Sequence, residues 1–512
     1  MADHDPTAFP AAQPLDAHNR RLLQNVHPPD WTNPKPKGRY HLVVIGAGTA
    51  GLVTAAIASA LGARVALVER GLMGGDCLNV GCVPSKSILA AAKGWQAARE
   101  AAERFGGPAV SGDGDFGAAM ERMRRIRADI SPVDGAPRFR DELGVDVYLG
   151  SARFVADDAV EVDGRRLRFH RAVIATGGRA RIPPIAGLAD VGYLTNETVF
   201  SLTERPEHLA ILGGGPIGCE LAQAFARFGS RVTLLESGPR ILPHDDPDAA
   251  EVIASALRRD GVDLLTNADV RSVSANGAGK TTIRVVHGGE TREIAASYLL
   301  AAAGRAPNVE GLGLEAGGVE RNDHGVAVDE RMRTSNPRVY AIGDVASRFQ
   351  FTHAADAQAR MVVRNALFFG RGRAGDLVIP WCTYTAPELA HVGITADEAA
   401  RRGAEVRTIA IPLADVDRAK TDGETEGFLR VHLKAGSDAI LGATLVAPHA
   451  GEVISQVTQA MTAGIGLGKI GAAVFPYPTL AEALRRAADA LNRDRLTPAA
   501  RRAFRLFFRA LG

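Results

Sequence analysis

Residues 41–70 read HLVVIGAGTAGLVTAAIASALGARVALVER, and residues 208–237 read HLAILGGGPIGCELAQAFARFGSRVTLLES. In the first stretch an apolar run at 42–45 meets Gly46, Gly48 and Gly51. A small-residue helix comes next, then a Gly62 turn, a second run at 64–68 and an acid, Glu69. Strand, glycine turn, helix, strand and terminal acid together form a βαβ dinucleotide fingerprint. The first glycine permits the tight turn, the second lets a pyrophosphate approach the backbone, and the third lets helix and strand pack closely. The helix N-terminus attracts the phosphates, and Glu69 accepts hydrogen bonds from a ribose; a packing turn is the alternative. The second stretch aligns on the first without a gap, with Gly213, Gly215 and Gly218 on the three glycines and Glu236 on Glu69. Two such sites imply two different nucleotides on related domains. The simplest chemistry that needs both is hydride transfer from a nicotinamide to a flavin.

The rest of the chain sets bounds on that reading. At 512 residues it is too long for one core, and roughly three domains are expected. A net charge of +2 asks for no nucleic-acid partner. Four cysteines in so long a chain do not make a disulfide scaffold, which fits a reducing cytoplasm better than secretion. No apolar run approaches a membrane span, so a soluble protein is expected. Residues 1–38, rich in Pro, His and Asp, read as a mobile or surface-draped arm without the apolar core of a signal peptide.

Just after the first fingerprint, residues 74–86 read GGDCLNVGCVPSK, with Cys77 and Cys82 separated by four residues. The pair is a structural clip, a metal half-site or a redox-active couple. An Ala-rich helix is expected over 85–105 and a looser, Arg-rich one from 116 to about 130. Alternating residues at 145–176 indicate strands and hairpins ending on the Ala175-Thr176-Gly177-Gly178 turn. After the second repeat come a helix at 248–260, short strands and the Gly304-Arg305-x-Pro307-Asn308 turn. Asp344 lies after a short buried strand, where an acid is costly unless something donates to it. A flavin ribitol would supply such hydroxyls; capping the helix that starts near residue 351 is the alternative. From residue 379 to about 492 the pattern changes to alternating strands and two helices without a phosphate loop, as for an interface module.

These motifs resemble the FAD-dependent pyridine nucleotide-disulfide oxidoreductases, the group of dihydrolipoamide dehydrogenase, glutathione reductase and mercuric reductase. The resemblance covers roughly residues 40–490, and GGDCLNVGCVPSK is among its most specific signatures. It implies an α/β fold of two Rossmann-like dinucleotide-binding domains, for FAD and NAD, plus a C-terminal α+β dimerisation domain. The division would be an arm (1–38), a discontinuous FAD-binding domain (39–190 and 309–378), an NAD(P)-binding domain (191–308), a dimerisation domain (379–492) and a tail (493–512). It also implies that Cys82 is the thiolate beside the flavin, that Cys77 is the thiol that attacks substrate, and that Lys86 reaches the flavin while paired with Glu220. FAD contacts would fall on Gly46, Gly48, Thr49, Ala50, Gly51, Glu69, Gly75, Lys86, Ala152, Thr176, Gly177 and Asp344. Those for the pyridine nucleotide would fall on Gly213, Gly215, Gly218, Glu236 and Gly304. Glu236 would repel a 2′-phosphate and bind a ribose diol, which favours NADH over NADPH, while the nearby Arg240 works the other way. Zinc binding by the cysteine pair lacks a second Cys or His pair, and no metal site is expected.

The sequence also departs from these relatives. Many carry a C-terminal His-Pro-Thr followed by a Glu, the His serving as acid-base catalyst and the Glu orienting it across a homodimer. Here residues 475–482 read FPYPTLAE, with Tyr477 at the place of the base and Glu482 at that of its partner. A phenol with a pKa near 10 is a poor acceptor of a thiol proton but can donate a hydrogen bond, so weak dihydrolipoamide oxidation is expected. Mercuric reductases share a tyrosine in a similar context, which tips the resemblance toward them. They also carry a terminal cysteine pair and a metal-binding Cys-x-x-Cys domain that this sequence does not show, so efficient Hg(II) detoxification is not expected. Cys219 and Cys382 read as packing residues.

The expectation is therefore a mercuric reductase-like enzyme passing electrons from NAD(P)H through FAD to the Cys77–Cys82 disulfide and on to a metal ion, a disulfide or a small electrophile. A dihydrolipoamide dehydrogenase for a dedicated lipoyl partner and a membrane-associated electron-transfer flavoprotein subunit are the alternatives. The latter draws on residues 497–511, which place Ala500, Phe504, Phe507, Phe508 and Leu511 on one helical face and Arg501, Arg502, Arg505 and Arg509 largely opposite. Such a helix can lie on an anionic membrane, dock a partner or pack on its own dimer.

Overall fold

The structure, a computed structural model, describes residues 9–276 and 280–512. Two compact units make up the chain: residues up to Pro239 with Gly261–Leu377, and Arg240–Asp260 with Val378–Gly512.

In the first unit, β1 (Arg39–Ile45), β2 (Val65–Glu69), β3 (Asp146–Leu149), β4 (Ala152–Ala156), β5 (Ala159–Val162) and β6 (Arg165–Ile174) form a sheet of order β3-β2-β1-β6-β5-β4, and Val339–Ala341 pairs with β6. The pairs β1–β2, β1–β6, β2–β3 and β6 with Val339–Ala341 are parallel; the hairpins β4–β5 and β5–β6 are antiparallel. Val43, Val44, Leu67 and Val173 are fully enclosed, as parallel strands covered on both faces must be. The second fingerprint builds a smaller parallel sheet in the order Val262–Leu265, Arg231–Leu235, His208–Leu212, Tyr298–Ala301. An antiparallel ribbon of three strands, Asp269–Ala275, Thr281–His287 and Glu290–Ala296, accompanies it. The expected α/β architecture is thus present twice in this unit.

The N-terminal segment differs from the expected mobile or draped arm. Ala17–Val26 forms helix α1, capped by Asp16, whose carboxylate accepts from the Asn19 N–H at 2.8 Å. Leu22 and Val26, on one helical face, are fully buried in the same apolar cluster as Leu42, Leu67 and Leu78. The Pro- and His-rich flanks hide this short amphipathic run in the sequence.

Next in the chain come helices α2 (Thr49–Ala60), α3 (Gly75–Asn79), α4 (Cys82–Phe105) and α5 (Phe116–Ile130). Helix α4 starts at Cys82, earlier than the expected residue 85. Pro84 lies in its first turn, where the missing N–H removes no intrahelical bond.

The second unit holds a five-stranded antiparallel sheet, order Pro380–Thr383, Glu388–Gly393, Ile440–Ala447, Phe428–Lys434, Val406–Pro412. Its core gathers Leu429, Val431, Leu445, Val457 and Leu484 from sheet and helices. Helix Pro247–Arg259 packs here, its Asp248 paired with Arg430, although the sequence division places those residues in 191–308. The final helix, Pro498–Leu511, is capped by Thr497 and has no buried residue. Among the described residues no helix is long and apolar enough to cross a membrane.

Candidate active site

The two fingerprints repeat each other closely. A Cβ at Gly46 would lie 2.3 Å from the Ala175 carbonyl oxygen, and one at Gly213 would lie 2.5 Å from that of Ala302. Both residues have φ near +100°, +101° and +107°, so glycine is required on two counts. At the third positions a Cβ would lie 1.8 Å from the Gly46 oxygen (Gly51) and 2.0 Å from the Gly213 oxygen (Gly218). The second glycines are different: Gly48 has only Gly75 Cα, at 3.7 Å, near its missing Cβ, and Gly215 has no atom within 4 Å. That space lies at the starts of α2, where Thr49 and Ala50 lead, and of helix Pro216–Arg227. The first amides of a helix lack intrahelical acceptors and favour an anion. The residues present therefore fit a dinucleotide at each site.

The terminal acids repeat as well. Glu69 Oε2 accepts from the Ala47 N–H at 2.6 Å and Oε1 from the Gly71 N–H at 2.7 Å; Glu236 accepts from Gly214 and Gly238, each at 2.7 Å. Burial pushes the Glu69 carboxyl up, against the pull of those amides. The turn before Ala152 reaches the same place, since the Gly150 N–H donates to the Glu69 carbonyl at 2.7 Å. Thr176 Oγ1 donates to the Asn308 carbonyl at 2.7 Å, while Gly177 and Gly304 border open space.

The cysteine stretch folds back onto the first fingerprint. Gly75, at φ +55°, comes so close that a Cβ there would lie 2.6 Å from Gly48 Cα. The next residue, Asp76, pairs with the half-buried guanidinium of Arg305, whose Nε donates to Asp344 at 3.0 Å. Asp344 is therefore held by Arg305, and the helix beginning at Thr352 is not capped by it. Burial pushes the Asp344 carboxyl up, and Arg305 opposes this.

Cys77 and Cys82 are both free thiols. Cys82 sits at the first position of α4, hydrogen-bonded to Cys77 and 3.4 Å from Thr352 Oγ1. Hydrogen bonding by Cys77, then by Thr352, and the charge of Lys86 overcome burial and bring the Cys82 thiol down to about 6. The Cys77 thiol is pushed up in turn, first by its bond to Cys82 and then by burial. Lys86 Nζ bonds Glu220 Oε2 at 2.8 Å, so α4 is tied to the helix of the second fingerprint. Cys82 is exposed and opens into a groove of about 390 Å³ lined by Val83, Lys86, Ala90, Arg122, Ile126 and Ile130.

Tyr477 and Glu482 belong to the second unit. The exposed Tyr477 hydroxyl donates to Asp417 Oδ2 at 3.1 Å, and this bond pushes the phenol further above its ordinary value. Glu482 Oε1 accepts from Arg486, while Oε2 is buried without a hydrogen-bond partner. Cys219 is fully buried and Cys382 half-buried.

Sequence reasoning missed Asp76, Thr352 and the function of Arg305. Arg305 and Asp344 each follow a buried strand, and their opposite charges were the available signal. Thr352 offered none.

Comparison with known proteins bears on the same segments. A family profile described as pyridine nucleotide-disulphide oxidoreductase matches residues 40–359, and the dimerisation domain of that family matches 379–488. Mercuric reductase of Streptomyces lividans is 37% identical over 469 residues, covering 89% of this chain and 97% of that protein. Dihydrolipoyl dehydrogenase of Thermus scotoductus is 35% identical over 461 residues, covering 89% and 98%. Among solved structures, the HOCl-induced flavoprotein disulfide reductase RclA of Escherichia coli superposes with a TM-score of 0.77 at 31% identity, covering 87% of this chain and 99% of that one. LpdA of Mycobacterium tuberculosis gives 0.80 at 27% identity, covering 88% and 99%. With both fingerprints, the cysteine pair and the dimerisation domain in place, the chain belongs to the pyridine nucleotide-disulphide oxidoreductase family of enzymes.

Proposed function

We propose that this enzyme takes electrons from NADH, through FAD, into a Cys77–Cys82 disulfide and passes them from the reduced pair to a metal ion, a disulfide or a small electrophile, as a mercuric reductase-like homodimer. The observation that carries this reading is the geometry of the thiol pair: Cys82 opens helix α4 beside Cys77, 3.4 Å from Thr352 Oγ1 and one turn from Lys86, a setting that lowers the Cys82 thiol and raises that of Cys77. FAD, when bound, accepts hydride from the nicotinamide and supplies the electron pair that opens the disulfide. In balance, NADH, one proton and the disulfide give NAD⁺ and two thiols; the acceptor then takes two electrons, the S–S bond re-forms and two protons leave. Lys86 and Thr352 hold the Cys82 thiolate, and Cys77 is the thiol left to meet the acceptor. Glu236, ending its strand with a negative charge, supports NADH over NADPH. Arg240 is engaged by the carbonyls of Leu242 and Asp245, each at 3.1 Å.

Tyr477 supports an acceptor that needs no strong base, because Asp417 moves the phenol away from the range in which it could take a thiol proton. The test is a panel of Hg(II), lipoamide, glutathione disulfide and quinones, assayed with NADH on the wild type and on Tyr477→His. A small electrophile should lead over lipoamide and glutathione disulfide, and Tyr477→His should raise dihydrolipoamide oxidation. Rapid dihydrolipoamide oxidation by the wild type overturns the role given to Tyr477.

A second reading concerns where the enzyme works. Phe504, Phe507, Phe508 and Leu511 of the last helix are all more than half exposed. Arg501, Arg502, Arg505 and Arg509 accompany them, and residues 497–512 hold no acid. Each arginine near an anionic surface contributes about 1 kcal/mol, and the phenylalanines add apolar insertion, so this helix fits the surface of an anionic membrane. The full chain should co-sediment with phosphatidylserine-containing vesicles and a chain ending at residue 496 should not. Equal sedimentation of the two overturns this reading.

A further inference from the structure

Helix α1 precedes the residues that the family profile matches, 40–359, yet it is built into the floor of the cysteine loop. Arg127 of α5 connects the two. Its side chain is fully buried, and burial lowers it only to about 10, so it keeps its charge at neutral pH. Burying a guanidinium costs several kcal/mol unless its donors are used, and neither of its hydrogen-bond partners is a carboxylate. Nη1 donates to the Asn79 carbonyl and Nη2 to Asn19 Oδ1 of α1, both at 2.6 Å. The nearby Asp16 is bonded instead by Arg124, at 2.6 Å.

Asn79 lies between the two cysteines, and its amide donates to the carbonyls of Met73 and Gly75 at 3.0 and 2.9 Å. The end of α1 meets the start of the same loop: the Met73 N–H donates to the Val26 carbonyl at 3.2 Å, and the His27 ring nitrogen Nδ1 lies 2.7 Å from the Gly71 carbonyl oxygen. Both ends of the segment from 71 to 79 are therefore fastened to the N-terminal helix or to the arginine it orients.

We propose that α1 is a strap that positions the redox loop, with Asn19 and Arg127 as positioning residues that hold the Asn79 carbonyl and so keep Cys77 and Cys82 within bonding reach of each other. This rests on the disulfide chemistry proposed above. A charge-assisted bond to a backbone carbonyl is among the stronger and more directional contacts available. The ease of closing a disulfide depends on the effective concentration of one thiol at the other, which falls as the intervening chain loosens.

The experiment equilibrates the full-length holoenzyme in glutathione redox buffers, traps free thiols with a maleimide and reads Cys77 and Cys82 by mass spectrometry. Asn19→Ala should lower the thiol–disulfide equilibrium constant of the pair about tenfold, a shift of about 30 mV toward easier reduction. Arg127→Met should lower it further, and Arg127→Lys should recover part of the loss. Asn25→Ala, which removes a bond from α1 to Ser131 at 2.8 Å without touching the loop, should leave the constant unchanged. A wild-type constant in Asn19→Ala overturns the strap, even where Arg127→Met does not fold. An equal shift in Asn25→Ala overturns it too, by making the effect one of general loosening. A wild type that forms no Cys77–Cys82 disulfide overturns both this inference and the reading beneath it, whereas a normal wild-type disulfide with unresponsive variants overturns the strap alone.

Discussion

The two fingerprints share their glycine contacts and their acid-to-amide bonds, yet one is roofed and the other open. Over the first, Gly75 comes so near that the space at Gly48 is bounded by protein, and Arg305 latches Asp76 of that roof to Asp344. Over the second, Gly215 faces nothing within 4 Å. The function proposed above needs such a difference, with one nucleotide kept as a resident and another leaving after each turnover. The difference lies in the chain just past the terminal acid: the cysteine stretch follows Glu69, and Ser-Gly-Pro follows Glu236.

The largest effect expected from this contrast comes from adding one methyl group to each site. Gly75→Ala would force a Cβ against Gly48 Cα at 2.6 Å with φ at +55°. Overpacking costs about 1–3 kcal/mol, and left-handed backbone at a non-glycine residue about 1–2 kcal/mol more. The variant should melt several degrees lower and retain little flavin through gel filtration. Gly215→Ala meets no atom within 4 Å and keeps an extended φ of −74°; its melting temperature and flavin content should be unchanged, while the KM for NADH rises as the methyl enters the pyrophosphate space. Equal flavin loss in both variants would break the contrast.

Lys86 and Glu220 join the redox helix to the second fingerprint, and their exposures differ: 36% for the lysine side chain, 7% for the glutamate. Removing the partner of a buried charge costs about 3 kcal/mol or more, whereas an ion with access to water is rehydrated. Lys86→Met, which takes the ammonium away from the more buried Glu220, should therefore destabilise the chain more than Glu220→Gln, which leaves a lysine that can turn to solvent. Denaturant midpoints at constant m-value measure both, and the reverse order would show that the pair is held from the Lys86 side.

The range of each interaction decides how much of this was legible in the sequence. The fingerprints were legible because part of their logic is local: each first glycine has a positive φ in its turn, each third glycine packs on the carbonyl of the first, and the repeat states both twice. Cys77, Cys82 and Lys86 were legible as a short motif. The latch was not, because Asp76 and Arg305 are 229 residues apart, and no period in the sequence links them. Nor was α1, whose apolar face of Leu22, Leu23 and Val26 is one turn long among prolines and histidines and acquires meaning only when Arg127 arrives from 108 residues away. The start of α4 was misplaced for a smaller reason: the Ala-rich pattern begins at residue 85, and the turn before it, which holds Pro84, carries no such pattern although the first turn of a helix tolerates proline. That error matters chemically, because the earlier start puts Cys82 itself at a helix N-terminus, where a thiolate is favoured.

The smallest expected effect tests how the roofed site holds that thiolate. Thr352 lies 3.4 Å from Cys82 Sγ and is, after Cys77, the next hydrogen-bonding influence that lowers it. The first proton to leave the pair does so near 6 instead of the ordinary 9.0, so the thiolate forms as the pH rises through about 6. Because the folded value is depressed, the stability this ionisation contributes is fully present above about 9 and is lost as the pH falls toward 6. Thr352→Ala should shift the midpoint of Cys82 alkylation to higher pH by less than the whole depression, since Cys77 and Lys86 remain. It should also leave binding at the open second site unchanged, so the KM for NADH stays at its wild-type value. A midpoint that does not move would assign the low value to Cys77 and Lys86 alone, and a midpoint near 9 would make Thr352 the dominant support of the thiolate.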